Sequence, residues 1–193
     1  MLSEFKYFTL FVLAVMAVFS MTAFVIADTA QSLDWNSYSP AHAVGSGDGD
    51  WWTTYPDQHE NSGSQATHPD WVMEALKEKP VLILIHSSNC VPCLKQMPRI
   101  ESTVQSFGED LLYSDVLAEE SGYEKAIAIL DFYDPVGGKS YVPTTIFITL
   151  AKGPNEAVEI AWHSEVDAMS QERIDDYVKD SIYYYKQNRA AWK

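Results

Sequence analysis

An α/β layer sandwich, with a mixed central sheet flanked by helices, is the fold class this sequence predicts. Three observations predict it. Helical and strand periods alternate along residues 69–185. One run, Val81 to Ile85, is five unbroken aliphatic residues, the pattern of a central strand covered on both faces. The chain also has enough core material, with 47% hydrophobic and 13% aromatic residues among 193.

The elements follow in order. Pro69 suits the first turn of a helix, and Trp71, Val72, Ala75 and Leu76 continue it at helical spacing until Pro80. After the Val81–Ile85 strand, Leu94, Met97, Ile100, Val104 and Phe107 step by three or four, and Gly108 closes that helix. Leu111 to Val116 reads as a strand. Tyr123, Ala126, Ile127 and Leu130 read as a helix. Thr145 to Leu150 and Ala157 to Trp162 are two strands joined by a turn with Gly153 and Pro154. In the second, Val158, Ile160 and Trp162 alternate with Ala157, Glu159 and Ala161, which predicts one wet face. Ser170 is a good N-cap for a last helix with the stripe Ile174, Tyr177, Val178, Ile182 and Tyr185.

The N-terminus reads as an address. Tyr7 to Ala27 carries no charge, and its 21 residues are long enough to cross a bilayer as a helix. Residues 1–27 are therefore expected to be a hydrophobic helix, either an uncleaved signal-anchor or a signal peptide cut after Val25-Ile26-Ala27. Either reading exports the rest of the chain: a single-pass membrane protein with its domain on the outer face, or a secreted one. Residues 28–50 are polar and Gly/Ser-rich, centred on Gly45-Ser46-Gly47-Asp48-Gly49-Asp50, and read as a flexible linker. Trp35 and Tyr38 would sit at the bilayer interface or dock on the domain. Trp51, Trp52 and Tyr55 would cover the core edge or form a substrate lip. The globular domain is expected over 51–193.

Charge and cysteine count exclude other classes. The net charge of -14 argues against nucleic acid, whose affinity comes mostly from Lys and Arg on phosphates. Two cysteines, Cys90 and Cys93, exclude a disulfide-dense scaffold and a four-cysteine metal site. Gly137-Gly138-Lys139-Ser140 lacks the earlier glycine of a phosphate loop, since that position is Tyr133, and reads as a turn.

The chemistry concentrates in His86-Ser87-Ser88-Asn89-Cys90-Val91-Pro92-Cys93. A C-x-x-C pair that leaves a buried strand and opens a helix has a physical logic. The helix N-terminus offers free N–H groups and partial positive charge, so a thiolate on the first cysteine is stabilised and reacts near neutral pH. The second cysteine, one turn on, can attack a mixed disulfide from the same face.

The segment resembles the thioredoxin superfamily, and further features agree over about Trp51 to Lys193. Pro98 lies five residues after the second cysteine, where the family has a helix-kinking proline. Tyr141-Val142-Pro143-Thr144 before a strand is similar to its cis-proline loop. The resemblance implies a thioredoxin-like three-layer sandwich. It implies that Cys90 attacks, Cys93 resolves, and Pro143 is cis and faces them. Val142, Pro143, Pro92 and Asn89 would contact a substrate, with Val142 offering its backbone to a substrate strand. No organic cofactor and no metal would be needed. The partners would be protein thiols or disulfides and a membrane electron donor or acceptor.

Two positions depart from the family pattern. Leu84 stands where many members bury an aspartate, and Asn89 stands where a tryptophan usually precedes the first cysteine. The proton relay through a buried acid is thereby put in question. Glu78 and Glu101 are the candidates to replace it. The function expected is an extracytoplasmic thiol–disulfide oxidoreductase. The alternatives are a copper- or zinc-handling module using Cys90, Cys93 and His86, and a non-catalytic binding module with a static disulfide.

Overall fold

The computed structural model describes residues 33–193, of which 34–193 form one compact unit. The expected N-terminal hydrophobic helix and the start of the linker lie outside the described residues. Among the described residues, no helix is long and apolar enough to cross a membrane.

The element order is α1 (Asp70–Leu76), β1 (Val81–His86), α2 (Val91–Phe107), β2 (Leu112–Leu117), a single 3-10 turn (Glu120–Gly122), α3 (Tyr123–Tyr133), β3 (Thr144–Lys152), β4 (Val158–Val166) and α4 (Gln171–Asn188). The sheet runs β2-β1-β3-β4. β1 pairs parallel with β2, β3 is antiparallel to β1, and β4 is antiparallel to β3. The β3–β4 hairpin is longer than the sequence predicts, since its ladder continues to Thr144↔Val166.

Strand alternation builds two cores. Ile83 and Ile85 point to one face, with Val72 and Leu76 of α1 and Ala126, Ile129 and Leu130 of α3. Leu82 and Leu84 point to the other, with Ile100 of α2 and Ile174, Tyr177, Val178 and Ile182 of α4. Hence β1 is buried along its whole length, as its unbroken aliphatic run requires. Each such side chain contributes roughly 1.5–3 kcal/mol by leaving water. The result is three layers, helices on both faces of a mixed sheet.

Helical periods located the stripes but not their edges. Leu94 and Trp71, expected inside, are 60% and 42% exposed. In α3 the deeply buried isoleucine is Ile129 rather than Ile127. Ser170 caps α4 as expected, its hydroxyl accepting the Arg173 N–H.

Residues 34–50 differ from the flexible linker that composition predicts, because they are docked. The Asp180 carboxylate accepts hydrogen bonds from the Tyr38 hydroxyl, the Ala41 N–H, the His42 N–H and His42 Nδ1. His42 stacks on Tyr177 with ring centroids 3.8 Å apart. The glycine-rich stretch closes on itself. Gly47 N–H donates to Asp50 Oδ2, and Trp52 Nε1 donates to the Gly47 carbonyl. A Cβ on Gly45 would come 2.3 Å from Asp50 Oδ2, so this glycine serves a close approach rather than mobility. Trp51 and Trp52 are fully buried and face the two different cores. Trp52 exchanges two backbone hydrogen bonds with Trp162, extending the sheet beyond β4. The cluster therefore covers the core edge and forms no substrate lip.

Candidate active site

β1 ends at His86, and three residues later Cys90 stands as the N-cap of α2. Its extended backbone turns the chain into the helix, and Pro92 fills the first turn, where its missing N–H is no loss. Cys90 and Cys93 form a disulfide. Their burial differs: Cys93 is fully buried, while Cys90 is partly exposed. The Cys93 N–H donates to Cys90 Sγ at 3.1 Å. That donor, with the partial positive charge of the helix end, is placed to stabilise a thiolate on Cys90.

The loop before β3 completes the site. The Val142–Pro143 peptide is cis, and the Val142 carbonyl oxygen lies 3.5 Å from Cys90 Sγ. Val142 is partly exposed and Pro143 buried. Asn89 and Val91 beside the disulfide are exposed. Structure thus brings Cys90, Cys93, Pro92, Val142 and Pro143 together, with Asn89 at the rim. Pro98 lies inside α2 on its exposed side.

Leu84 is buried behind this site, paired in register with Asp115 of β2 and Thr145 of β3. Neither Glu78 nor Glu101 replaces an acid there, because both are exposed. A neutral polar strut crosses the same layer. Gln96, one turn after Cys93, donates to the Thr145 hydroxyl at 2.7 Å and accepts the Met169 N–H at 2.9 Å. Among the described residues, no cluster of three or more His, Cys, Asp or Glu side chains is spaced to hold a metal ion.

Glu119 is a site residue that sequence reading missed. Its carboxylate accepts the Ser88 N–H at 2.6 Å and the Ser88 hydroxyl at 2.9 Å, tying down the loop that carries Cys90. No local signal announces it, since the partners are 31 residues apart. The Ser88 N–H holds the Glu119 carboxyl below its ordinary range. A carboxyl depressed in the folded state tightens the loop above its ordinary pKa, and that support is lost as pH falls through the folded value. The Ser88 amide resonance is therefore expected to titrate below about pH 4.3, the ordinary glutamate value, and Glu119→Gln should abolish the titration. A resonance unchanged down to about pH 3 would remove the latch.

No protein-family model matches the chain, and no curated protein matches it. Solved structures are similar to it at low identity. A thiol:disulfide interchange protein of the thioredoxin family from Chlorobium tepidum is 15% identical with a TM-score of 0.39, covering 56% of this chain and 83% of its own. Chloroplastic thioredoxin z is 12% identical with a TM-score of 0.38, covering 58% and 88%. DsbF from MTB, in mixed oxidised and reduced forms, is 15% identical with a TM-score of 0.36, covering 54% and 82%. These neighbours are thioredoxin-family and disulfide-interchange proteins, and the Cys90–Cys93 pair is consistent with a C-x-x-C active site of their type.

Proposed function

We propose that this protein is an extracytoplasmic thiol–disulfide oxidoreductase acting on protein thiols and disulfides through reversible closure of Cys90–Cys93. One observation carries the reading: a partly exposed Cys90 at the N-cap of α2, bonded to a fully buried Cys93 whose N–H points at the Cys90 sulfur. A loop closed over so few residues gains little stability from a cross-link, so stability alone is a weak reason for such a pair. Val142 and Pro143 would present the loop backbone to a substrate segment, with Pro92 and Asn89 at its rim. The charge-free stretch Tyr7–Ala27 supports export and a membrane tether, where a membrane donor or acceptor would exchange electrons with the pair.

The test is a titration of the full chain in graded thiol redox buffers. A single reversible two-electron transition is expected. A midpoint near about -270 mV assigns a reductant, and one between about -180 and -120 mV assigns an isomerase or oxidant. In intact cells, reduced Cys90 should react with a membrane-impermeant maleimide. A pair that does not titrate reversibly would overturn the oxidoreductase reading, and a Cys90 shielded in intact cells would overturn the location.

A further inference from the structure

His86 is a buried polar side chain that the fold leaves unexplained. It is the last residue of β1, its side chain is 7% exposed, and neither ring nitrogen makes a hydrogen bond. Buried polar groups in native proteins are nearly always bonded, so an unbonded imidazole beside a reactive centre calls for a reason. Its one close polar neighbour is Asp115, whose Oδ1 lies 3.1 Å from Nε2, out of line for a hydrogen bond.

Strand geometry places this couple. Leu82 and Leu84 face the layer under α2, so His86, two residues further, faces it as well. Asp115 is the register partner of Leu84, so it shares that face on the neighbouring strand. Tyr113, two residues before it, donates its hydroxyl to the same Oδ1 at 3.2 Å. Three residues link His86 to the helix end that holds the disulfide. Position 84 itself is apolar, and a carboxylate–imidazole couple stands on either side of it: Asp115 across the sheet, His86 along the strand.

We propose that His86, positioned by Asp115, exchanges the proton of Cys93 during disulfide transfer. This rests on the oxidoreductase reading. When the reduced protein meets a substrate disulfide, the Cys90 thiolate attacks one sulfur and forms a mixed disulfide. The first substrate sulfur leaves as a thiolate and takes a proton from solvent. Cys93 then gives its proton to the imidazole, and its thiolate attacks Cys90 Sγ. The Cys90–Cys93 bond forms, the mixed disulfide breaks, and the second substrate thiolate leaves. Two electrons pass from the cysteine pair to the substrate, and the imidazolium returns its proton to the departing thiolate or to water. Charged and titratable groups near the couple are Tyr113 and Asp115 of β2, Glu119 after β2 and Glu101 of α2.

The reduced full-length chain, mixed with the chromogenic disulfide 5,5′-dithiobis(2-nitrobenzoate), reports both steps as successive colour releases. The first release reads Cys90 and the second reads resolution by Cys93. Imidazole changes charge between about pH 5 and 8, so the second rate should show an inflection in that range. In His86→Gln the second release should slow about tenfold or more at neutral pH and lose the inflection, while the first release persists. Asp115 is half-exposed, so Asp115→Asn should fold even where the buried substitution does not. Without the carboxylate the charged imidazole is less favoured, and the inflection should move to lower pH by about half a unit. A second release with wild-type rate and profile in both variants overturns the proposal. So does an unmoved profile in Asp115→Asn alone, if His86→Gln does not fold. A wild-type chain with no first release overturns the underlying reading too, and is told apart by that missing first step.

Discussion

Cys90→Ser should abolish disulfide exchange, a loss on the order of a thousandfold or more, because a serine hydroxyl at this helix end is neither ionised near neutral pH nor able to form the mixed disulfide. Cys93→Ser should behave differently. Cys90 remains partly exposed, with the residue-93 N–H aimed at its sulfur, so the first attack survives and the mixed disulfide accumulates. The two variants lose the same cross-link and should lose the same stability, about 2 kcal/mol for a loop this short in the chain-entropy account. Their asymmetry therefore reports chemistry and not folding. Non-reducing electrophoresis and intact mass should find a trapped adduct in Cys93→Ser and none in Cys90→Ser. Equal trapping by both, or exchange surviving in Cys90→Ser, would reverse the assignment of attacking and resolving thiols.

How much of this was legible follows the range of the interactions. The strand Val81–Ile85, the helix that Cys90 opens and the loop at Val142–Pro143 are each encoded within a few consecutive residues, and each stands where the sequence predicts. Their meeting is tertiary, and it became readable only through resemblance to a known arrangement. Polar contacts over long separations left no trace. Ser88 does not point to Glu119 in sequence, and Leu84 does not point to Asp115 on the next strand. The segment around Gly45–Asp50 was misjudged for a physical reason. Glycine and serine content measures the freedom of an isolated chain, whereas Asp50, Trp51 and Trp52 remove that freedom by bonding and burial.

The largest stability effect is expected at the anchor of that segment. Asp180 is fully buried within α4, and its two oxygens receive the Tyr38 hydroxyl at 2.6 Å, the Ala41 and His42 N–H groups at 2.9 Å each, and His42 Nδ1 at 2.8 Å. Burial first, and the neighbouring carboxylate second, hold the Tyr38 phenol far above its ordinary pKa, so it stays a donor. Asp180→Ala would leave two backbone N–H groups, a phenol and an imidazole facing an apolar side chain. Undoing a buried, fully bonded charge costs about 3–5 kcal/mol, a large share of the roughly 5–15 kcal/mol that holds a domain together. Tm should fall by about 10 °C. Tyr38→Phe removes one donor and keeps the ring, so it should cost only about 1 kcal/mol. Limited proteolysis should then cut Asp180→Ala between residues 34 and 50 while sparing wild type. Were this stretch a mere spacer, Asp180→Ala would keep its Tm within a degree or two and both proteins would be cut alike. A drop of the expected size makes residues 34–50 part of the domain, so that any tether to a membrane must begin before them.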